Sequence, residues 1–506
     1  MIKQIKSALI SVYHKDGLDN IIKKLHSRGV TIYSTGGTHS FIRELGYDAI
    51  AVEDITGYPS ILGGRVKTLH PLIFGGILGR RSDAHDINDI NNYNIPPIDL
   101  VVVDLYPFEE TLAKGAGTDD IIEKIDIGGI SLIRAAAKNY HDVLVVSHQK
   151  QYNELYSLLE EHNGETNLET RRLFAREAFS VSSNYDAAIF SWFDNGEYSE
   201  FRKSCGPQFT LRYGENPHQK AYFYGNVNEI FEQVHGKEIS YNNLLDIEAG
   251  ILLISDFSNE TSVAIIKHNN ACGMASRTKL ADAWNAALEG DPVSAFGGII
   301  VTNSIVDTDA AIEINKIFFE IIIAPDYTHD ALEILKQKKN RIVLVLKQKK
   351  MKAHQFRSLF DGVLLQERDK HIEKKEELQQ VTLRHPNETE VLDLLFANKL
   401  VKHTKSNAIV LVKNRQLLGS GTGQTSRVDA LKQAVEKAKT FGFSLEGAVM
   451  ASDAFFPFKD SIEIAHQAGI TAVIQPGGSI RDKESIDYCN EHNIAMVFTG
   501  YRHFKH

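Results

Sequence analysis

The four residues Lys267-His268-Asn269-Asn270 concentrate more reactive chemistry than any other stretch of the second half of the chain. A histidine can take a proton near neutral pH, and a lysine beside it supplies positive charge for a developing oxyanion. Both follow an apolar run, Val263-Ala264-Ile265-Ile266. Neighbouring side chains on a strand point to opposite faces, so the pair can serve one substrate only if the strand ends at about Lys267. The polar Asn269-Asn270 and small Ala271-Cys272-Gly273 fit such an ending. A Lys-His pair by itself is more often ordinary surface.

A second concentration lies nearer the N-terminus. Thr35-Gly36-Gly37-Thr38 sits between an apolar run and a helical pattern, where glycines let backbone N–H groups face an anion and hydroxyls add donors. Lys15 and the cluster Arg65-Val66-Lys67-Thr68 add positive charge and a further hydroxyl. Asp126 precedes Gly128-Gly129 at a helix start, with Lys138 about three turns further on. The plainer readings are an exposed basic loop and an N-capping aspartate. Other labels fail. Gly419-Ser420-Gly421-Thr422-Gly423-Gln424 departs from the dinucleotide fingerprint at Gln424, and no Walker loop, HExxH or GxSxG is present. The histidines and cysteines show no metal-ligand spacing, so no metal is expected.

The elements that must position these residues alternate between strand and helix. Ala8-Leu9-Ile10-Ser11-Val12 reads as a buried strand, and Leu18, Ile21, Ile22 and Leu25 share one helical face. Val30 to Tyr33, Leu100 to Leu105 and Val143 to Val146 are further strands. This alternation predicts an α/β fold with a mainly parallel sheet, whose ligands sit at the carboxyl ends of the strands. A helix from Arg171 to Phe190 closes the first unit, and the polar passage from Asp194 to Pro207 is the expected boundary. The domains are therefore expected at about 1–200 and 201–506. The second contains a faint repeat: Lys267-His268 echoed by Lys402-His403, Ser276-Arg277 by Ser426-Arg427, and Ala295-Phe296 by Ala454-Phe455. The lysine-rich stretch from Lys336 to Lys352 and the charged mix from Glu367 to Glu377 read as solvated surface.

Composition narrows the partners. A chain of 506 residues needs more than one core. A net charge of −9 argues against gripping a nucleic-acid backbone. No apolar stretch approaches the ~20 residues that span a bilayer, and the N-terminus lacks a secretory pattern. Three scattered cysteines read as reduced thiols. The expectation is a cytoplasmic protein with neither nucleic-acid nor membrane partners.

Taken together and in order, the motifs resemble the family in which AICAR transformylase and IMP cyclohydrolase are fused in one purine-synthesis enzyme. The resembling segments include SVYHKDGL, YSTGGT, ITGYPSILGGRVKTLHPLIFGGIL, DLYPFEET, IDIGGISLIRAAAKN, LRYGENPHQKA, KHNNACG, DPVSAFGGIIVTN, VKHTKSNAI, GTGQTSRVDA, SDAFFPFKDSIEIA and the terminal FTGYRHFKH, over almost the whole length. The resemblance implies a methylglyoxal-synthase-like N-terminal domain and a C-terminal domain of two cytidine-deaminase-like repeats without zinc. It implies formyl transfer from 10-formyltetrahydrofolate to AICAR, then cyclisation of formyl-AICAR to IMP, in a homodimer.

Carried onto this chain, the resemblance makes Lys267 and His268 the transformylase pair. Arg212, Tyr213, Asn243, Phe296 and Arg502 would position AICAR, and Asn407 and Arg427 lie in segments that shape the folate side. Lys67, Tyr106, Asp126 and Lys138 match cyclohydrolase residues. Lys15, Thr35, Gly36, Gly37, Thr38, Arg65 and Thr68 would hold phosphate and ribose. Three positions depart from the family pattern: Asp104 stands for asparagine, and Ala271 and Ile130 stand for prolines. Competing readings are a nucleotide sensor that has lost turnover and an RNA-binding protein, the latter disfavoured by acidity.

Overall fold

A computed structural model describes residues 2–206, 208–347 and 351–506. Pro207 of the boundary passage and residues 348–350 of the lysine-rich stretch lie outside the described residues. The chain divides into two compact units, Met1–Ser204 and Cys205–His506.

In the first unit, β1 (Ser7–Ser11), β2 (Thr31–Ser34), β3 (Ile50–Ala51), β4 (Leu100–Val103) and β5 (Leu144–Val146) form one sheet in the order β3-β2-β1-β4-β5. Every pairing is parallel. Both faces are covered, so β4 and β5 are continuous apolar runs rather than alternating ones. On one face Leu18, Ile21, Ile22 and Leu25 of α1 (Leu18–Ser27) pack with Ile42 of α2 (Gly36–Glu44) against Ala8 and Ile10. On the other, α3 (Pro71–Leu78), α4 (Gly128–Lys138) and α6 (Leu168–Asp194) bring Ile73, Leu132, Ala136 and Ala178 against Leu9 and Val101. The helix α5 (Tyr152–Glu161) joins the first face. The strand expected from Leu100 to Leu105 stops at Val103, which frees Asp104 from the sheet.

The second unit is built on one sheet of twelve strands. Its first half contributes β6 (Phe231–His235), β7 (Ser262–Lys267), β8 (Asn270–Ser276), β9 (Ile299–Thr302), β10 (Ile321–Ala324) and β11 (Ile342–Leu346). Its second half contributes β12 (Gln379–Gln380), β13 (Ile409–Lys413), β14 (Gln416–Gly421), β15 (Ala448–Ser452), β16 (Ile470–Gln475) and β17 (Ala495–Phe498). The order β6-β11-β10-β9-β7-β8-β14-β13-β15-β16-β17-β12 reads the same from either edge, half for half. Each half pairs its hairpin antiparallel, then continues through three parallel strands to an antiparallel edge. The helices match as well. α7 (Tyr241–Ser255) corresponds to α11 (Glu388–Lys402), with α8 (Leu280–Gly290), α9 (Thr308–Ile314) and α10 (His329–Lys336) between them in sequence. These three answer to α12 (Arg427–Thr440), α13 (Asp460–Gln467) and α14 (Asp482–Glu491). One core under α7 and α11 is common to both halves, and each half has its own core on the opposite face.

The repeat is real but its register differs from the sequence expectation. Lys402-His403 ends α11 and is not a strand end; the counterpart of Lys267 is Lys413, at the end of β13. Ala295-Phe296 precedes β9, whereas Ala454-Phe455 follows β15. Packing shows the true alignment. A Cβ on Gly273 would lie 2.1 Å from the Ala287 carbonyl of α8, and one on Gly419 would lie 2.3 Å from the Ala434 carbonyl of α12. Those glycines let strand and helix backbones touch, which is also why the Gly419-Ser420-Gly421 run is not a phosphate loop.

Candidate active sites

In the first unit the strand order turns between β1 and β4, and the crevice beyond their carboxyl ends is where such sheets bind ligands. Thr38 Oγ1 donates to the Val12 carbonyl at 2.9 Å and accepts the Val12 N–H at 3.0 Å, pinning α2 to the end of β1. The Thr35 and Ser11 hydroxyls share a 2.8 Å hydrogen bond. With both threonines buried and engaged, no side chain caps α2, and Gly36 and Gly37 are left exposed at its start. The Lys67 ammonium lies beside this start: a Cβ on Gly36 would be 3.3 Å from its Nζ. An open helix N-terminus with an adjacent cation is a seat for a phosphate or a developing oxyanion. Lys15 turns its Nζ to the Tyr13 carbonyl at 3.3 Å, and Arg65 pairs with Glu123 at the surface.

The opposite wall comes from β4 and the start of α4. Asp126 is buried and accepts the Gly129 N–H at 2.6 Å, while Tyr185 accepts the Asp126 N–H at 2.9 Å. Burial pushes the Asp126 carboxyl above its ordinary pKa, against the pull of the Gly129, Tyr106 and Gly128 N–H groups. Burial and then the Asp126 charge push up the Tyr106 phenol, so it stays protonated and can donate. Thr68 is buried beside α4, where a Cβ on Gly128 would meet its Oγ1 at 3.3 Å. Lys138 is not brought to this cluster within the unit. It ends α4, about 15 Å along the helix from Gly128, and lines a separate cavity of about 670 Å³ with Arg134, Arg172 and Arg176.

Sequence reading missed what Asp104 does. Its carboxylate accepts the backbone N–H groups of Tyr13 and His14, the latter at 2.9 Å, and lies 3.0 Å from His14 Nδ1. The departure from asparagine is therefore turned onto the end of β1.

In the second unit β7 ends at Lys267, as its polarity pattern requires, and His268 and Asn269 form the turn. Lys267 Nζ donates to the Phe296 carbonyl at 2.6 Å. The exposed rings of Phe296 and Phe318 lie 5.2 Å apart and tilted by 49°, an apolar pair beside the Lys-His turn. The Arg212 guanidinium stacks over Tyr213 at 4.9 Å, and the Tyr213 carbonyl accepts the Tyr241 N–H where α7 begins. Asn243 is engaged within the unit: it closes a capping box with Ser240 and donates to Glu320 at 3.2 Å. One turn further on, Asp246 accepts the Asn269 N–H at 2.6 Å. Sequence reading passed over this residue because nothing local marks it; the correct repeat alignment would have raised it.

Asn407 and Arg427 lie in the other half. The Lys405 N–H donates to Asn270 Oδ1 at 2.9 Å, so the segment leading to Asn407 abuts the Lys-His turn. Asn407 Nδ2 donates to the Gln424 carbonyl at 2.9 Å. Arg427 donates to Asp453 at 2.6 Å and to Ser452 Oγ at 2.8 Å, and both charges are buried. Its place is architectural. Arg427→Met should cost about 3–5 kcal/mol, because Asp453 would be left buried and unpaired, and chemical denaturation checks this.

Arg502 is carried by the C-terminal tail, which His503 anchors. Its ring lies 2.5 Å from Asp369 and 2.7 Å from Glu373, and those carboxylates outweigh burial to push its pKa up to about 9. A raised pKa stabilises the fold fully below the unfolded value of about 6.5, and the contribution is lost as pH rises through about 9. Wild type should therefore exceed His503→Gln in stability by about 3 kcal/mol at most at pH 6. By pH 10 that gap should close in paired thermal melts.

A parallel sheet with an uncapped helix start beside a lysine, and a duplicated α/β unit bearing a Lys-His hairpin, define a two-unit α/β protein with a cluster of polar and charged side chains in each unit. Comparison with known proteins agrees. The MGS-like domain matches residues 17–131, and the AICARFT/IMPCHase bienzyme family matches residues 136–437. The chain is 65% identical to the bifunctional purine biosynthesis protein PurH of Bacteroides thetaiotaomicron, over 100% of this chain and 99% of that one. It is 49% identical to PurH of Aquifex aeolicus and 47% identical to that of Persephonella marina, each over 99% of this chain and 100% of the relative. A solved structure titled "Crystal structure of ForH" covers 37% of this chain at 32% identity with a TM-score of 0.33, which carries no structural argument. The chain belongs to the AICARFT/IMPCHase bienzyme family, bifunctional enzymes of purine biosynthesis. Among the described residues no cluster of histidine, cysteine, aspartate or glutamate is placed to hold a metal ion, and no helix is long and apolar enough to cross a membrane.

Proposed function

We propose that the second unit, from about residue 201, transfers the formyl group of 10-formyltetrahydrofolate to the 5-amino group of AICAR. The first unit, up to about residue 200, then closes formyl-AICAR to IMP. The observation that carries this allocation is the hairpin end at Lys267–His268, set beside an exposed aromatic pair and joined to α7 through Asp246.

The AICAR amine is a weak nucleophile because its lone pair is delocalised into the ring and carboxamide. His268 takes a proton from it as the new C–N bond forms at the formyl carbon. Lys267, already aimed at a carbonyl oxygen in its hydrogen bond to Phe296, neutralises the oxyanion of the tetrahedral intermediate. Collapse breaks the bond to the folate nitrogen, which leaves with a proton. The exposed rings of Phe296 and Phe318 offer apolar area to a heteroaromatic substrate. Arg212 and Arg502, both exposed, are suited to the phosphate.

Ring closure needs the carboxamide nitrogen held against the formyl carbon, then loss of water. The start of α2, with Lys67, Lys15 and Thr68, holds the anionic groups. Tyr106 donates to the formyl oxygen, and Asp126 orients the attacking amide. Lys138 enters this reading only if a second subunit supplies it, which fits a homodimer. Formyl-AICAR is thus the product of one site and the substrate of the other. The setting is the cytoplasm, without nucleic acid, membrane or metal.

The purified chain, given AICAR and 10-formyltetrahydrofolate, should release IMP with formyl-AICAR resolved as the intermediate by chromatography. Tight nucleotide binding with neither product formed would defeat the reading.

A further inference from the structure

The duplication of the second unit provides an internal comparison that singles out one carboxylate. Asp246 is the sixth residue of α7 and Asp393 the sixth residue of α11. Each reaches the tight turn of the hairpin that follows in its own half. Both turns hold two consecutive non-glycine residues in the left-handed region: His268 and Asn269 at φ 50° and 65°, Asn414 and Arg415 at 53° each. L-residues adopt that backbone rarely, and it persists where neighbours hold it.

The two carboxylates hold their turns differently. Asp393 is buried and uses both oxygens, Oδ2 accepting the Asn414 N–H at 2.8 Å and Oδ1 the Arg415 N–H at 2.6 Å. Asp246 uses one oxygen, Oδ1, on the Asn269 N–H at 2.6 Å; the other has no hydrogen bond among the described residues. The contents of the turns differ in the same sense. Cations lie near both carboxylates, Arg415 and Arg277 near Asp393 and Lys267 near Asp246, but only the turn that Asp246 clamps carries an imidazole, that of His268. Burial raises the Asp246 carboxyl, while the Asn269 N–H, His268 and Lys267 pull it back down. Asp393 thus shows what the clamp requires for structure alone, and Asp246 keeps an oxygen in excess of what it spends on the turn.

We propose that Asp246 is a positioning residue for formyl transfer, clamping the His268–Asn269 turn with one oxygen and keeping its free oxygen and negative charge against the Lys267–His268 pair. The inference rests on the assignment of His268 as the proton acceptor. It adds the group that fixes where that imidazole stands.

The test uses the full chain and both of its reactions. Asp246→Asn keeps an acceptor for the Asn269 N–H and removes the charge. It should lower kcat for formyl transfer on the order of 10- to 100-fold with KM for AICAR within about twofold, the split expected of a lost transition-state contribution. Ring closure of supplied formyl-AICAR, read on the same preparation, should be unchanged, and an unchanged melting transition of the second unit reports that the unit carrying Asp246 is folded. Asp246→Glu, which keeps the charge, should recover part of the loss. Asp393→Asn should lower the melting temperature without lowering kcat. Wild-type kcat in Asp246→Asn, alongside an inactive His268→Ala, overturns the proposal, as do equal losses in the Asn and Glu variants. Full formyl transfer by His268→Ala overturns the underlying assignment instead, so the two failures are distinguishable.

Discussion

Replacing His268 by alanine should lower kcat for formyl transfer on the order of 10²- to 10⁴-fold while ring closure of supplied formyl-AICAR proceeds at the wild-type rate. The size follows from the chemistry. A delocalised amine attacks only as its proton is removed, and His268 is the histidine of the hairpin turn. The selectivity follows from topology, since His268 follows a strand of the duplicated sheet and the residues proposed for cyclisation belong to the unit with the parallel sheet. The turn itself should survive, because the Asn269 N–H and the Asn270 side chain hold it from outside the imidazole. The measurement is single-turnover formylation with separated products. Loss of both activities in a folded variant would contradict the division into two sites.

Lys67→Ala should do the converse, lowering ring closure on the order of 10²- to 10³-fold while formyl transfer is retained. Lys67 places its ammonium against the uncapped start of α2, and its removal leaves the helix N-terminus and the Tyr106 phenol without that cation to meet the developing negative charge. A companion signature comes from Asp126. Burial raises its pKa, so the acid limb of the cyclisation profile should sit above the ordinary aspartate value of about 3.9. Activity should rise as that carboxyl ionises, and the limb should vanish in Asp126→Asn. Retained ring closure in Lys67→Ala would remove the lysine from the site.

Both experiments concern residues whose types were visible in the sequence, yet their company was not. The Lys-His pair could be found because an apolar run ends there, and a run that stops at Lys267 releases the next residue into a turn. The glycines of Thr35–Thr38 mark a helix start between a strand and a helix, and the structure shows that start uncapped with Lys67 beside it. Asp246 has no local signature, being one aspartate inside a largely apolar helix. The ion pair of Arg427 with Asp453, 26 residues away, has no local signature either.

The sequence by itself determined the alternation of strand and helix, the parallel first sheet, the end of β7 and the existence of a repeat, because hydrophobic period and turn chemistry are local properties. The register of that repeat and the two clamped turns belonged to the tertiary structure. Each depends on which backbones meet across the sheet. Such contacts join residues tens of positions apart, where side-chain type alone sets no distance.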